Sequence, residues 1–222
     1  MNYFAHAHLA LRRCDDAAFV LGSMLPDWQR WVGGRLAAVH HPELAEGVRF
    51  HHASDVAFHG SPTFHRLERQ AFRALQEAGV GRGPARGVAH VGVEILLDAT
   101  LLAGESMEAP FAAALDAADR FGAHLEWKCA DGAVRFTEVV TRLRARGLPR
   151  PGAEPDLAGR GILRTLAPRP RLRVSAEEEP AVLAWARRTR PIVDAARPAM
   201  FAETEARLAD AEANAPAPAP MS

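Results

Sequence analysis

Cysteine is scarce in this chain. Cys14 and Cys129 are the only two in 222 residues. Neither lies in a CxxC or zinc-ligand spacing, which excludes a disulfide framework and a cysteine-built zinc site. Lysine is scarcer: Lys128 stands alone among 27 basic residues, the other 26 being arginine. With alanine abundant as well, this bias reads as the mark of a GC-rich genome, so arginine clusters carry little weight by themselves. Net charge is missing too, since 27 acidic residues balance the basic ones and leave no global field to hold nucleic acid or an anionic membrane. No run of about 18 apolar residues occurs. The opening MNYFAHAHLALRR lacks the basic n-region and long apolar h-region of a secretory leader. The expectation is a cytoplasmic protein with no membrane and no nucleic-acid partner. Also lacking are a GxSxG elbow, a Walker loop, a GxGxxG after a strand, an HExxH pair and an EF-hand loop.

Alternating β-branched runs are absent as well, while helical spacing dominates the periodic segments. The fold expected is therefore all-α, a single helical domain over 1–213 with a core at 1–146, C-terminal helices at 156–213 and a disordered tail at 214–222. The pattern predicts helices over 2–12, 15–32, 42–58, 62–79, 84–103, 109–124, 131–146, 156–166 and 177–210. Ser61 and Pro62 form a start signal and Gly79 a stop signal for one of them. GLPRPGAEPDL at 147–157 and APRPRLR at 167–173 read as connections.

What is present in excess is histidine near the start: nine of ten lie in the first 90 residues. In FHHASDVAFH, positions His51, Asp55 and His59 are four apart, which on a helix makes a stripe about 80° wide. GVAHVGVEILLDATLLAG repeats the spacing with His90, Glu94 and Asp98. Apolar residues on nearly every other face mark that second helix as buried. Its two carboxylates then need cations, donors or a metal. Arginine, for instance Arg49 or Arg86, is the alternative partner. Imidazole with carboxylate suits manganese, iron or zinc better than magnesium or calcium. Residues eight apart on a helix are separated by about 12 Å, so either a four-apart pair from each helix binds one ion or the ladders hold two. Asp27, between Trp28 and Pro26, and His6 add to the inventory, whereas His40, His41 and His65 read as helix-entry or surface residues.

Five stretches in order, MNYFAHAHLAL, FVLGSMLPDW, AEGVRFHHASDVAFH, RGVAHVGVEILLD and ILRTLAPRPRL, give the chain its resemblance to the acyl carrier protein phosphodiesterases, relatives of the HD-type metal-dependent phosphohydrolases. They correspond to that family's MNFLAHxxLA, GNLLADF, AGIxxHRxIDxxTD and RxxxxxxxDxxxDH segments and to a late stretch ending in RRPRL. The resemblance implies a helical HD-like bundle and manganese-assisted release of 4'-phosphopantetheine from a holo carrier protein. His6, Asp27, His51, Asp55, Glu94 and Asp98 fall on the family's polar positions. Ser23, His52, His59, Glu94 and Ala99 replace an asparagine, an arginine, an aspartate, an aspartate and a histidine, and His90 is an addition. The site is nitrogen-rich as a result.

On this reading His51, Asp55, Glu94 and Asp98 are metal ligands, with His59 and His90 as further ligands if two ions bind. Manganese is the first choice and iron or zinc the others. Asp27 would orient or deprotonate a water or complete the coordination shell, and His6 or His52 would protonate the leaving oxygen or hold the phosphate. An acidic carrier protein would dock on arginines such as Arg69, Arg73, Arg82 and Arg86. Alternatives are a relative acting on a nucleotide or other small phosphoester, and a domain that binds metal without catalysis.

Overall fold

A computed structural model describes residues 1–104, 107–148 and 156–214. The expected tail, apart from its first residue, and most of the proline-rich connection at 147–157 lie outside the described residues. Among the described residues the chain forms nine α-helices: α1 (Tyr3–Arg13), α2 (Ala17–Val32), α3 (Pro42–His59), α4 (Pro62–Glu77), α5 (Arg82–Gly104), α6 (Glu108–Phe121), α7 (Gly132–Arg146), α8 (Leu157–Leu166) and α9 (Glu179–Ala213). The all-α expectation therefore holds, with one small correction. The segments β1 (Leu36–Val39) and β2 (Leu125–Trp127) pair antiparallel and tie the α2–α3 connection to the end of α6. The helix expected over 109–124 accordingly stops at Phe121 and passes through one 3₁₀ turn into β2.

Local chemistry accounts for the boundaries. Asp16 caps α2 by accepting from the Ala18 and Phe19 N–H groups, both at 2.9 Å. Ser61 accepts from Phe64 N–H at 3.1 Å and Pro62 opens α4. Gly79 follows that helix with φ +86°, a backbone conformation glycine adopts freely. The helix α5 is buried along Val88, Ala89, Val93, Leu96, Leu97 and Leu101. It packs on α1, α4, α8 and α9, which makes it the central element.

The contact that places the site is between α2 and α3. A Cβ added to Gly47 would stand 2.2 Å from Phe19 O and 2.8 Å from the Gly22 Cα, and one on Gly22 would stand 2.4 Å from Leu44 O. The two backbones touch, which only a pair of side-chain-free residues permits. This holds Ser23 and Asp27 of α2 over the face of α3 that carries His51 and Asp55. Gly47→Ala is expected to lower stability by roughly 1–3 kcal/mol through overpacking, read from the urea unfolding midpoint. An unchanged midpoint would contradict the close crossing.

Candidate metal centre

Four histidines are tethered in the same manner. His51 Nδ1 lies 2.8 Å from Ser23 O, and a carbonyl only accepts, so Nδ1 carries the hydrogen and Nε2 keeps its lone pair. His59 Nδ1 likewise meets Asp55 O at 2.9 Å, and His90 Nδ1 meets the Glu68 carboxylate at 2.9 Å. His6 Nδ1 is 2.9 Å from Ser54 Oγ, whose own hydroxyl donates to His51 O, so the serine accepts from His6. Each imidazole is thus tethered through Nδ1 and presents an unprotonated Nε2 when neutral. A metal-ligating histidine has this arrangement, with the outer partner fixing ring orientation and tautomer.

The Nε2 atoms fall into two groups. Ligand atoms of His6, Asp27 and His51 lie within 4.8 Å of one another, as do those of His59, His90 and Glu94. Metal–ligand bonds of about 2.1 Å separate ligand atoms by roughly 3–4 Å, so small side-chain adjustments close either group on an ion. Asp55 stands between them: its Oδ1 is 3.7 Å from His6 Nε2 and 3.4 Å from His59 Nδ1. Ring stacking pairs His6 with His51, centroids 3.8 Å apart, and His59 with His90, 5.0 Å apart.

Two atoms test whether an ion belongs here. His6 Nε2 and Asp27 Oδ2 are buried without a hydrogen-bond partner. Leaving such groups unsatisfied costs about 1–3 kcal/mol each, a cost that a cation between them would remove. Burial pushes the His6 pKa down to about 3 and that of His51 to about 4, so both rings are neutral and able to ligate at neutral pH. Burial pushes Asp27 up to about 7.

The second group is more polar. Glu94 Oε1 sits 3.0 Å from His59 Nε2 and 3.5 Å from His90 Nε2. The α-amine of Met1 lies 2.7 Å from Asp55 Oδ1 and 3.4 Å from Glu94 Oε1. Burial opposes the charge on Glu94, but the Met1 amine and His59 outweigh it and hold the carboxyl at about 2. Burial likewise opposes ionisation of Asp55, yet His59, His6 and the Met1 amine keep it well below the usual carboxylate range. His59, pushed down by burial, is carried up to about 9 by its bonds to Asp55 and Glu94. A converging set of ionised carboxylates that already recruits an ammonium and an imidazolium is an attractive place for a divalent cation.

The structure rearranges the roles expected from spacing. Asp98 does not join either group: Oδ1 accepts from Ala5 N–H at 2.9 Å, and Oδ2 from Phe4 N–H at 3.3 Å and Asn2 Nδ2 at 2.8 Å. It satisfies the orphan donors at the start of α1, a structural duty. Burial pushes its pKa up to about 8 against those donors. His6 is fully buried and neutral, which suits a ligand and not a proton donor. Asp27 lies in the same group as His6 and His51, the position that completing a coordination shell requires. His52 points outward from α3, exposed. Arg49 pairs with Glu46 and Arg86 is exposed, so neither meets Glu94 or Asp98. Arg69 and Arg73 on α4 and Arg82 and Arg86 at the start of α5 are exposed. His40 pairs with Glu126 and His41 with Glu43, outside both groups, and His65 lies 3.7 Å from Glu68, the carboxylate that tethers His90.

Sequence spacing missed the outer partners. Ser54 was within reach, three residues after His51 on the same helix; nothing in the sequence pointed to Ser23 O or Glu68. Compared with models of protein families, with curated proteins and with solved structures, the chain finds no match.

Ser54→Ala is expected to weaken manganese or zinc binding by about 10–100-fold, the usual cost of removing an outer partner, measured by competition with a chelator. Asp98→Asn is expected to leave that affinity unchanged. Equal losses in both variants would return Asp98 to the ligand set.

Proposed function

We propose that the chain is a metal-dependent phosphodiester hydrolase. The observation that carries this reading is the pair of three-ligand groups flanking Asp55, with His6 Nε2 and Asp27 Oδ2 buried and unpartnered. His6, Asp27 and His51 would hold one ion and His59, His90 and Glu94 a second, with Asp55 shared between them. The donor set, imidazole with carboxylate, fits manganese, iron or zinc. Bound there, such an ion supplies Lewis-acid polarisation of a phosphoryl oxygen and a more acidic water.

The chain's own residues supply the remaining functions. Asp55, with 39% of its side chain exposed, opens the site to solvent on the α3 side, where a phosphoester could enter. His52, exposed on α3 with its ring 5.3 Å from that of His51, would hold a phosphate oxygen or protonate a leaving oxygen. Ser54, Ser23 O and Glu68 keep the imidazoles oriented, which limits the reorganisation needed when charge develops. Resemblance of the sequence to the acyl carrier protein phosphodiesterases favours a holo carrier protein as substrate and 4'-phosphopantetheine as product. A small phosphoester is the alternative, favoured by the substitution of His52, His59 and Ala99 at the family's polar positions.

Metal-loaded protein is expected to hydrolyse a chromogenic phosphodiester and to release phosphopantetheine from holo carrier protein. Both activities should stop on chelation and fall by at least about 100-fold in Asp27→Ala and Glu94→Ala, the scale of losing transition-state stabilisation. The double change Arg69→Glu with Arg73→Glu should raise KM for the carrier protein alone. No turnover of any phosphoester by metal-loaded protein would overturn the reading.

A further inference from the structure

A second site lies away from the histidines. A cavity of about 700 Å³ opens between the start of α1, the C-terminal half of α5, the end of α7, and α8 and α9. That volume is in the range of small-molecule binding cavities. Its floor is apolar, built from Trp31, Leu96, Leu102, Phe111 and Leu143. On α5 the residues that line it, Ile95, Leu96, Asp98, Ala99 and Leu102, are turned about 40–160° from Glu94 around the helix. The cavity and the imidazole groups therefore occupy different faces of the same helix.

Its charged lining is arginine with a single carboxylate. Six arginines contribute: Arg30, Arg142, Arg146, Arg164, Arg187 and Arg190. The one carboxylate in the lining is Asp98, whose oxygens accept from the start of α1. In a chain with no net charge, six guanidinium groups around one apolar hollow form a local positive field far from the average. Arg187 is engaged by Asp156 at 2.5 Å and Arg30 lies over the Trp31 ring. Among the described residues Arg146 and Arg164 form no ion pair, and both are exposed. Long arginine stems lay carbon along an apolar wall and hold the charge at its edge, and a guanidinium is suited to bidentate bonds with carboxylate or phosphate.

We propose that this cavity binds an anionic amphiphile, a single apolar chain ending in a carboxylate or phosphate, with the chain on the Leu96 and Phe111 floor and the head among Arg146 and Arg164. An apolar ligand without charge would leave the arginines unused, and a small anion without a tail would leave the floor wet. The proposal stands on the cavity alone and does not depend on the metal reading.

The test is calorimetric titration of the full chain, in EDTA so that metal cannot hold the head group, with dodecyl phosphate, dodecanoate, dodecanol and inorganic phosphate below micelle-forming concentrations. Dodecyl phosphate and dodecanoate are expected to bind one per chain. Dodecanol should bind at least about tenfold more weakly for want of charge-assisted bonds, and inorganic phosphate not measurably. Gly161→Leu fills the cavity from α8, where a Cβ would stand 3.6 Å from its nearest neighbour, Ile95, at ordinary van der Waals contact. This variant should abolish binding of both anions. Arg146→Gln with Arg164→Gln should weaken the anions about tenfold and leave dodecanol unchanged. Absence of saturable binding by either anion, or binding that both variants leave intact, would overturn the proposal.

Discussion

The site depends on the contact of Gly22 with Gly47. Because a methyl group on either would meet backbone atoms well inside contact distance, α2 and α3 can approach more closely here than side chains ordinarily permit. That approach brings Ser23 O to His51 Nδ1 and sets Asp27 beside the same ring. With α3 fixed, Ser54 receives His6 from α1. The start of α1 is in turn held by Asp98 on α5. Four helices, the first three and α5, are thus joined through tethers that each involve a backbone group or a short side chain.

The tethers also decide the chemistry. A histidine in a core is ordinarily satisfied when one ring nitrogen donates and the other accepts. Here His6, His51, His59 and His90 all have Nδ1 engaged by an outer acceptor, leaving four Nε2 atoms turned toward Asp27, Asp55 and Glu94. Where protons are available the arrangement borrows them, as His59 does between Asp55 and Glu94. Where burial refuses the charge, as at His6 and Asp27, polar atoms are left without partners. A divalent cation resolves both conditions at once.

Much of this was legible in the linear sequence. The four-residue spacing of His51, Asp55 and His59, and of His90 and Glu94, identified one face on each of two helices, and the apolar flanks of the second identified it as central. Helical periodicity and capping residues placed the nine helices because these signals are local. Asp98 misled because its spacing matches the ladder while its partners are backbone N–H groups of a helix more than 90 residues away, which no side-chain pattern records. His6 and Asp27 were visible as polar positions, but their burial together, which makes them candidate ligands, arises from helix packing. The strands LAAV and LEW are too short and too alanine-rich for alternation to register. The arginine-lined cavity was hidden for a related reason: its six arginines come from four different helices, and each alone is indistinguishable from a solvated surface residue.

The central claim is that the chain builds two ion sites sharing Asp55. The most direct measurement is the metal content per chain of protein loaded with manganese, iron or zinc and desalted, for wild type beside His59→Ala. Two ions per chain in the wild type, with one retained in the variant, is the predicted result. A wild type that retains no ion after loading would contradict it.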